Sequence, residues 1–429
     1  MERTYIKDLG GKVGEEVRVA GFVHTLRVQS KIIFLLARDV TGIIQTVVEA
    51  SSEAFDIAKN LSHESVVKIT GIVKESPQAP DGFEINVKNI EVLSVADPEL
   101  PIPVVTKSGE GTEAPIRFDY RWIDLRKPEK AKIFKVWTEL EKGFRKYWDE
   151  NNFTQLYPPN FLETQSESGA EVFTVNYFDR KAFLPQSPQF YKQMGIASGF
   201  ERVFMVAPVF RAELSFTTRH VTEFTGWDFE IGYIESHNDL MDVEEAMIIE
   251  GFRAVLAKFP EIDITIPARP FPRFTMLEAK EILAKLGIES PEEHDISPEE
   301  ERAICEYVKK EMNHDFVFIT EYHKSKSAFY HMRVTEDSDR SRRADLLYRG
   351  LEVTTLAQRE HRPEVLTKQA EEKGMSLEPL KDYINFFRYG CPPHGGAGLG
   401  PARFIMKMLD LPNVREATYL PRDVKRLNP

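Results

Sequence analysis

Residues 203–213 read VFMVAPVFRAE, residues 217–220 read TTRH and residues 223–225 read EFT. This pattern predicts two apolar strands joined by a polar loop. Arg211 and Glu213 are two residues apart, so we expect them on one face at the end of the first strand. Taken alone, an arginine and a glutamate at this spacing more often form a surface ion pair than a functional site.

The rest of the hairpin adds groups that favour a functional reading. The loop supplies Arg219 and His220, and Phe224 starts the second strand. Arginines suit phosphates, and an aromatic ring suits a base; Glu213 could accept a hydrogen bond from an exocyclic amine. This end of the hairpin therefore suits a nucleotide.

Two carboxylates follow in the run DLLYRGLE at residues 345–352. The separation of seven would put Asp345 and Glu352 on opposite faces of one straight strand, and Gly350 offers a bend that could bring them together. Converged carboxylates beside an anionic ligand favour Mg²⁺. The alternative is that these are unrelated acids at strand ends.

A glycine-rich run, PPHGGAGLGPAR at residues 392–403, predicts a strand that leads into a C-terminal helix with Arg403 at its start. Glycines allow a ligand to approach the backbone closely, and a helix N-terminus with an arginine favours phosphate. A glycine cluster alone is weak evidence.

The N-terminal part has a different pattern. Residues 15–95 contain five short runs rich in valine and isoleucine, separated by turn residues, with helical spacing from Ser52 to Leu61. The order β-β-β-α-β-β suits a five-stranded OB barrel, a scaffold that commonly binds single-stranded nucleic acid. Another small β-sandwich remains the alternative.

The C-terminal part predicts a mixed α+β domain. Amphipathic helices are expected over residues 133–147 and 239–258, and capping boxes at Thr275 and Ser297 open two more. Strands are expected at residues 202–211, 224–234, 316–320 and 345–356.

Composition excludes several classes of protein. The chain has 429 residues, 42% hydrophobic and 29% charged, which is a globular balance and indicates two or three domains. Two cysteines exclude a disulfide framework. The formal charge of 56 − 68 = −12 gives no hint of nucleic acid, so any RNA must bind at a local patch. No run approaches the length of a membrane span, and we expect a soluble, cytoplasmic protein.

Taken together and in this order, these features resemble the class II aminoacyl-tRNA synthetases, and most closely the archaeal-type aspartyl-tRNA synthetase family. The resemblance covers nearly the whole chain. It implies an OB-fold anticodon-binding domain at residues 1–104, a linker at 105–128 and a catalytic domain at 129–429. The catalytic domain would be built on an antiparallel sheet flanked by helices, with a helical insertion around residues 275–315.

The resemblance also implies roles in ATP binding. Arg211 would hold the α-phosphate and the substrate carboxylate, Glu213 would meet the adenine amine and Phe224 would stack on the ring. His220 and Arg403 would hold the β- and γ-phosphates, and the further ATP-binding residues would be Arg219, Glu352 and Gly400. Asp345, Glu352 and Thr355 match the magnesium ligands. Arg211, Glu352 and Arg403 would be the catalytic residues, acting by positioning and charge neutralisation.

The string QSPQFYKQ at residues 186–193 is close to the aspartyl signature. In that family the residues matching Lys192 and Arg359 clamp the side-chain carboxylate of the substrate. Two cations would repel lysine and would be left uncompensated by asparagine. The remaining substrate contacts would come from Glu167 on a loop at 164–171 that resembles a lid, Gln189, Arg211, Asp228, Thr355 and His394.

The resemblance implies further partners. The anticodon would contact Arg27, Phe34, Gln45 and Glu84, although Phe34 could also be a core residue between Ile33 and Leu35. Relaxed enzymes of this family charge tRNA(Asn) as well as tRNA(Asp), and they carry a histidine and a proline that His24 and Pro77 or Pro80 match.

The segment around Pro159 resembles the first class II motif, which implies a homodimer.

The sequence departs from the family at a few positions. Ala402 stands where an acidic residue is usual, Thr355 replaces a serine, and Gly226-Trp227 is uncommon. None removes a phosphate or magnesium contact. We therefore predict an enzyme that joins L-aspartate to tRNA with ATP and Mg²⁺. The alternatives are an asparaginyl-tRNA synthetase, a paralogue that makes asparagine, and a non-catalytic RNA-binding paralogue.

Overall fold

The computed structural model describes residues 2–106, 111–163 and 172–428. The chain divides into two units, Met1–Lys127 and Pro128–Pro429. No helix among the described residues is long and apolar enough to cross a membrane.

The first unit contains a closed barrel, and buried and more exposed side chains largely alternate along its strands. Its elements are β1 (Glu16–Val28), β2 (Ile32–Arg38), β3 (Ile43–Glu49), α1 (Ala54–Lys59), β4 (Val66–Glu75) and β5 (Phe83–Ser94). The strand order β1-β2-β3-β5-β4 closes through pairing of β1 with β4. The predicted five-stranded OB-fold is confirmed.

Two short helices follow within the residues that were predicted as a linker. They are α2 (Ala114–Asp119) and α3 (Arg121–Asp124). Arg121 and Asp124 form an ion pair of 2.9 Å with both side chains fully buried. This part of the first unit is therefore folded.

The second unit is built on an eight-stranded sheet. Its strands are β6 (Thr154–Gln155), β9 (Arg202–Phe210), β10 (Glu223–Gly232), β11 (Arg273–Thr275), β12 (Phe316–Thr320), β13 (Arg343–Tyr348), β14 (Glu352–Gln358) and β15 (His394–Leu399), while β7 (Thr174–Tyr177) and β8 (Arg180–Phe183) form a separate hairpin. The order is β11-β12-β13-β14-β15-β10-β9-β6. The expectation of an antiparallel sheet holds for the six central strands, whereas both edge pairs, β11 with β12 and β6 with β9, are parallel.

Helices cover the sheet. They are α4 (Pro128–Glu150), α5 (Gln189–Ala197), α6 (His237–Lys258), α7 (Met276–Lys285), α8 (Pro298–Met312), α9 (Pro363–Glu372), α10 (Lys381–Phe387) and α11 (Pro401–Met408). The capping boxes predicted at Thr275 and Ser297 open α7 and α8. Helices α4 and α6 approach closely, since a Cβ at Gly143 would lie 2.4 Å from the Glu250 carbonyl oxygen. Glycine is therefore required there.

Helix α6 carries a fully buried carboxyl group, Glu244, beneath the sheet. Burial raises its pKa from 4.5 to about 8. Between these two pH values the native state keeps a proton that the unfolded state releases. The free energy of unfolding of the wild type is therefore highest below about pH 4.5 and falls as the pH rises toward about 8.

We predict that the free energy of unfolding of Glu244→Gln relative to wild type, measured in urea at each pH, will rise by on the order of 3 kcal/mol from about pH 5 to about pH 7.5. The reason is that only the wild type loses stability over this range. A constant difference across this range would contradict it.

Candidate active site

A cavity of 310 Å³ in the second unit brings together residues from distant parts of the sequence. It is bounded by α5, the β9–β10 hairpin, β14 and the junction of β15 with α11. Thirteen of the residues predicted for the site line it: Gln189, Lys192, Arg211, Glu213, Arg219, His220, Phe224, Asp228, Glu352, Thr355, Arg359, Gly400 and Arg403. They converge because β10 pairs with both β9 and β15.

The hairpin end differs from the prediction in one respect. Strand β9 ends at Phe210, so Arg211 and Glu213 lie just beyond the strand instead of on its face. The Arg211 amide still donates to the Thr222 carbonyl, which keeps the two sides of the hairpin together. Arg211 lies 3.8 Å from Glu213 and above the Phe224 ring at 5.4 Å. Cation, carboxylate and aromatic ring are thus adjacent.

Two further residues of the loop, Arg219 and His220, reach the same cavity. Arg219 is held at 2.7 Å by Glu301, a buried residue of α8. The His220 imidazole is hydrogen-bonded to the Thr217 hydroxyl at 2.6 Å. Partial burial, and then the neighbouring Arg403, lower the pKa of His220. The surroundings of His220 are therefore already positive, which suits an anionic ligand.

Arg403 lies in the first turn of α11, and Gly400 precedes that helix. The Arg403 guanidinium donates to the Glu352 carbonyl at 2.9 Å and to the Glu352 carboxylate at 3.3 Å. Arg403 is therefore fixed at one wall of the cavity, and no other described residue takes up its remaining N–H groups, which a ligand could accept from.

The two predicted metal-binding carboxylates lie on neighbouring strands, which is a different arrangement from the one expected, and only Glu352 lines the cavity. Asp345 lies on β13 and Glu352 on β14, so they belong to two strands of a hairpin and not to one bent strand. Arg349 and Gly350 form its two-residue turn, both with positive φ (47° and 79°), and residue 345 pairs directly with Thr355. Gly350 is thus part of a reversal of the chain.

This carboxylate pair has the chemistry of a divalent-cation site. Burial, and then repulsion from Glu352, raise the pKa of Asp345, although Arg343 contacts it at 2.6 Å. Asp345 and Glu352 together with the Thr355 hydroxyl supply the oxygen donors that Mg²⁺ prefers. Within the described residues no cluster of three His, Cys, Asp or Glu forms a complete ligand set. A bound Mg²⁺ would need ligands from elsewhere.

The deepest part of the cavity contains two buried cations, each paired with a carboxylate. Lys192 Nζ lies 2.7 Å from Asp228 and 3.7 Å from Glu230, and Arg359 Nε lies 2.9 Å from Glu230. Lys192 and Arg359 also donate to the Ala397 and Gly396 carbonyls. Burial raises the pKa of Asp228, and Lys192 opposes this shift. Glu230 was not among the predicted residues, because its partner is 129 residues away.

A chain of buried hydrogen bonds fixes Gln189. Its amide nitrogen donates to Gln193 Oε1 at 2.9 Å, and Gln193 Nε2 lies 3.0 Å from His394 Nε2. Tyr383 also donates to Gln193 Oε1. Burial lowers the pKa of His394 to about 4, so a neutral imidazole can accept from Gln193. His394 does not line the cavity, but it helps to orient Gln189, whose carbonyl oxygen remains for a donor.

Two of the unusual positions have local explanations. A Cβ at Gly226 would lie 3.1 Å from Asp228 Oδ1, so glycine leaves room for that carboxylate. Trp227 is buried and makes edge contacts with Trp137 and Phe144 in the core.

Glu167 and the segment 164–171, predicted as a lid, lie outside the described residues.

The residues predicted to contact an anticodon lie in the barrel. Ile33 and Leu35 are buried, whereas Phe34 is half-buried on the outer face and pairs with Arg27 across the β1–β2 ladder. Phe34 is therefore not a core residue. Gln45 donates to Glu84 at 2.7 Å.

His24 and the prolines have a different setting. The His24 ring lies 2.7 Å from Arg38, which is paired with buried Glu64. Pro77 and Pro80 are exposed in the segment between β4 and β5. His24 therefore already contacts Arg38 within the barrel, besides any contact that it would make with tRNA.

Comparisons with known proteins agree with this architecture. Residues 113–424 match the model of class II tRNA synthetases (D, K and N), and residues 17–93 match the OB-fold nucleic acid binding domain. The chain belongs to the class II tRNA synthetases of this D, K and N family.

Individual relatives cover nearly the whole chain. It is 41% identical to the Aspartate--tRNA(Asp/Asn) ligase of Aeropyrum pernix, with 97% of this chain and 96% of that protein covered. It is 39% identical to the Aspartate--tRNA(Asp) ligase of Pyrococcus horikoshii, with 97% of each covered. Among solved structures, the asparaginyl-tRNA synthetase of Pyrococcus horikoshii with asparaginyl-adenylate superposes with a TM-score of 0.92 at 32% identity, and both chains are covered completely.

Proposed function

We propose that the protein activates L-aspartate with ATP and transfers it to tRNA. The observation that carries this proposal is the pair of buried cations, Lys192 and Arg359, in the lining of the cavity. Asp228 and Glu230 already balance their charges, but an ammonium and a guanidinium group present only N–H donors. The side-chain carboxylate of aspartate would accept from such donors, whereas the amide of asparagine would turn N–H donors of its own toward one of the cations, which is costly.

The remaining groups suit the activation step. A carboxylate oxygen of aspartate attacks the α-phosphorus of ATP, and the bond to the bridging oxygen breaks to release pyrophosphate. Arg211 would bind the α-phosphate and the attacking carboxylate. Arg219 and Arg403 would neutralise the β- and γ-phosphates, and His220 would donate a hydrogen bond to them. In the second step the hydroxyl of the terminal adenosine of tRNA attacks the acyl carbon, and AMP leaves.

Other residues would position the substrates. Gln189 would accept a hydrogen bond from the α-amino group, and Glu167 is proposed to act there as well. Mg²⁺ held by Asp345, Glu352 and Thr355 would supply positive charge for the ATP phosphates. Donors from these phosphates would complete its coordination.

The adenine site gives a direct test. Phe224→Leu keeps apolar area but removes the aromatic face, so we expect KM for ATP to rise about tenfold in pyrophosphate exchange, since base stacking contributes ~1–3 kcal/mol. The KM for aspartate should stay close to wild type. Phe200→Leu, which changes an exposed phenylalanine two residues before β9, is the matched control. An unchanged KM for ATP in the Phe224 variant would remove Phe224 from the adenine site.

The barrel is proposed to bind the anticodon through Phe34, Arg27, Gln45 and Glu84. For Phe34→Ala we predict that KM for tRNA rises about tenfold through the lost stacking energy. Pyrophosphate exchange does not need tRNA binding by the barrel, so it should be unaffected. Equal tRNA charging by the variant and wild type would contradict this role.

The tRNA range is proposed to include tRNA(Asn), as in the name of the Aeropyrum pernix relative. The support from this chain is His24 with Pro77 or Pro80 near the barrel surface. Charging with labelled aspartate should be measured on tRNA(Asp) and tRNA(Asn) transcripts at one salt concentration, because tRNA binding depends on salt. Charging of both supports a relaxed enzyme; charging of tRNA(Asp) alone overturns the assignment for His24.

We also propose a homodimer through the segment around Pro159. Pro159 itself is exposed, and so are the large apolar side chains of Tyr157 (79%) and Phe161 (55%). Exposed apolar side chains close together favour a protein interface. Sedimentation velocity should give a dimer for wild type and a monomer for Tyr157→Asp/Phe161→Asp. A wild-type monomer would contradict the proposal.

A further inference from the structure

A second cavity, of 380 Å³, lies beside the candidate active site. Ala328 and His331 line both cavities. The described residues that line the second one include three basic side chains, Lys324, Arg333 and Lys373, and one acidic side chain, Glu372. The cavity is therefore positively charged.

The three cations differ in how they are compensated. Arg333 is paired with Glu372, and Lys324 Nζ lies 2.5 Å from Asp339. Lys373 donates to the Lys324 carbonyl at 3.0 Å, and no carboxylate in the described parts of the chain pairs with it. Partial burial, and then Arg333, lower the pKa of Lys373. An ammonium group has three donors, so Lys373 retains donors for an anionic ligand.

One residue that lines the cavity, Gln369, has an acceptor that lacks a donor. Gln369 is buried, and its amide nitrogen donates to the Phe329 carbonyl at 2.7 Å and to the His331 carbonyl at 3.2 Å. Its Oε1 has no hydrogen-bond partner within the part of the chain that the structure describes. Buried polar atoms are usually satisfied, so this oxygen points to a missing O–H or N–H group.

We propose that this cavity is a second binding site, for a small molecule that carries a phosphate group. Lys373 and Arg333 donate to the phosphate oxygens, and Gln369 Oε1 accepts a hydrogen bond from the O–H group of the phosphate. A phosphate monoanion supplies both kinds of group near neutral pH, because its second ionisation lies in that range. Sulfate is anionic but has no O–H, so it should bind less well.

The site can be tested with inorganic phosphate alone. Equilibrium dialysis of labelled phosphate against the full chain should be compared for wild type and Lys373→Met. The matched control is Lys368→Met, which changes an exposed lysine of α9, the helix that ends just before Lys373. Arg403→Met removes an anion contact in the first cavity only. Its effect therefore distinguishes phosphate bound in the first cavity from phosphate bound in the second. Thermal unfolding of each variant checks the fold.

We expect Lys373→Met to weaken one class of phosphate sites by about tenfold or more, as for loss of a charged hydrogen bond. Lys368→Met and Arg403→Met should retain that class, and sulfate should compete poorly for it. Wild-type binding by Lys373→Met, or loss of all phosphate binding in Arg403→Met, would overturn the proposal. Because no aspartate, ATP or tRNA is present, the result is independent of the proposed ligase activity.

Discussion

Replacing Lys192 by methionine is expected to lower kcat/KM for aspartate about 10²- to 10³-fold, because the substrate carboxylate loses a desolvated cation. Lys192 is almost completely buried and contacts Asp228 at 2.7 Å. The measurement is aspartate-dependent pyrophosphate exchange. Lys181→Met, an exposed lysine of β8, is the control.

The same change leaves Asp228 buried without its cation, which costs about 3–5 kcal/mol of stability. The double variant Lys192→Met/Asp228→Asn removes that unpaired charge and should recover much of the stability without recovering aspartate activation. Normal activation of aspartate by Lys192→Met would show that the substrate assignment is wrong.

Replacing Arg403 by alanine is expected to lower kcat for pyrophosphate exchange by about 10²- to 10³-fold. The reason is that Arg403 lies at the start of α11 beside Glu352, where charge on the leaving pyrophosphate would develop. KM for aspartate should change little, since the buried pairs of Lys192 and Arg359 are untouched. Lys407→Ala, one turn further along α11, should retain the wild-type rate. A wild-type kcat for Arg403→Ala would exclude a role in the chemical step.

Much of the architecture is predictable from local sequence. The alternation around Phe34 identifies barrel strands, and capping boxes at Thr275 and Ser297 mark the starts of two helices. These signals are local in origin, because they depend on side-chain periodicity and on backbone caps. That distant residues line one cavity was implied by the resemblance to the synthetase family and not by a local pattern.

Features that depend on long-range pairing could not be read in this way. The partner of Arg359 is Glu230 on β10, and the partner of Arg219 is Glu301 on α8. Neither pairing leaves a local pattern. The Asp345–Glu352 pair was placed on one bent strand because positive φ at both Arg349 and Gly350, which creates a two-residue turn, is not evident when the first turn residue is an arginine.

The buried pairs also explain how one cavity could distinguish aspartate from asparagine. Lys192 and Arg359 are not free cations waiting for a substrate, since Asp228 and Glu230 already contact them. Selection would therefore arise from the N–H donors that the two cations can still offer to a substrate side chain. An amide in place of a carboxylate would set donor against donor, and a mismatch of this kind can discriminate by ~10⁴-fold or more.

The most direct test of this account is ATP–pyrophosphate exchange with the wild-type protein, with aspartate, asparagine or lysine as the only amino acid. The account predicts exchange with aspartate and a kcat/KM for asparagine lower by about 10⁴-fold. Exchange that is equal with asparagine, or faster, would contradict the central claim that the Lys192–Asp228 and Arg359–Glu230 pairs select an anionic side chain.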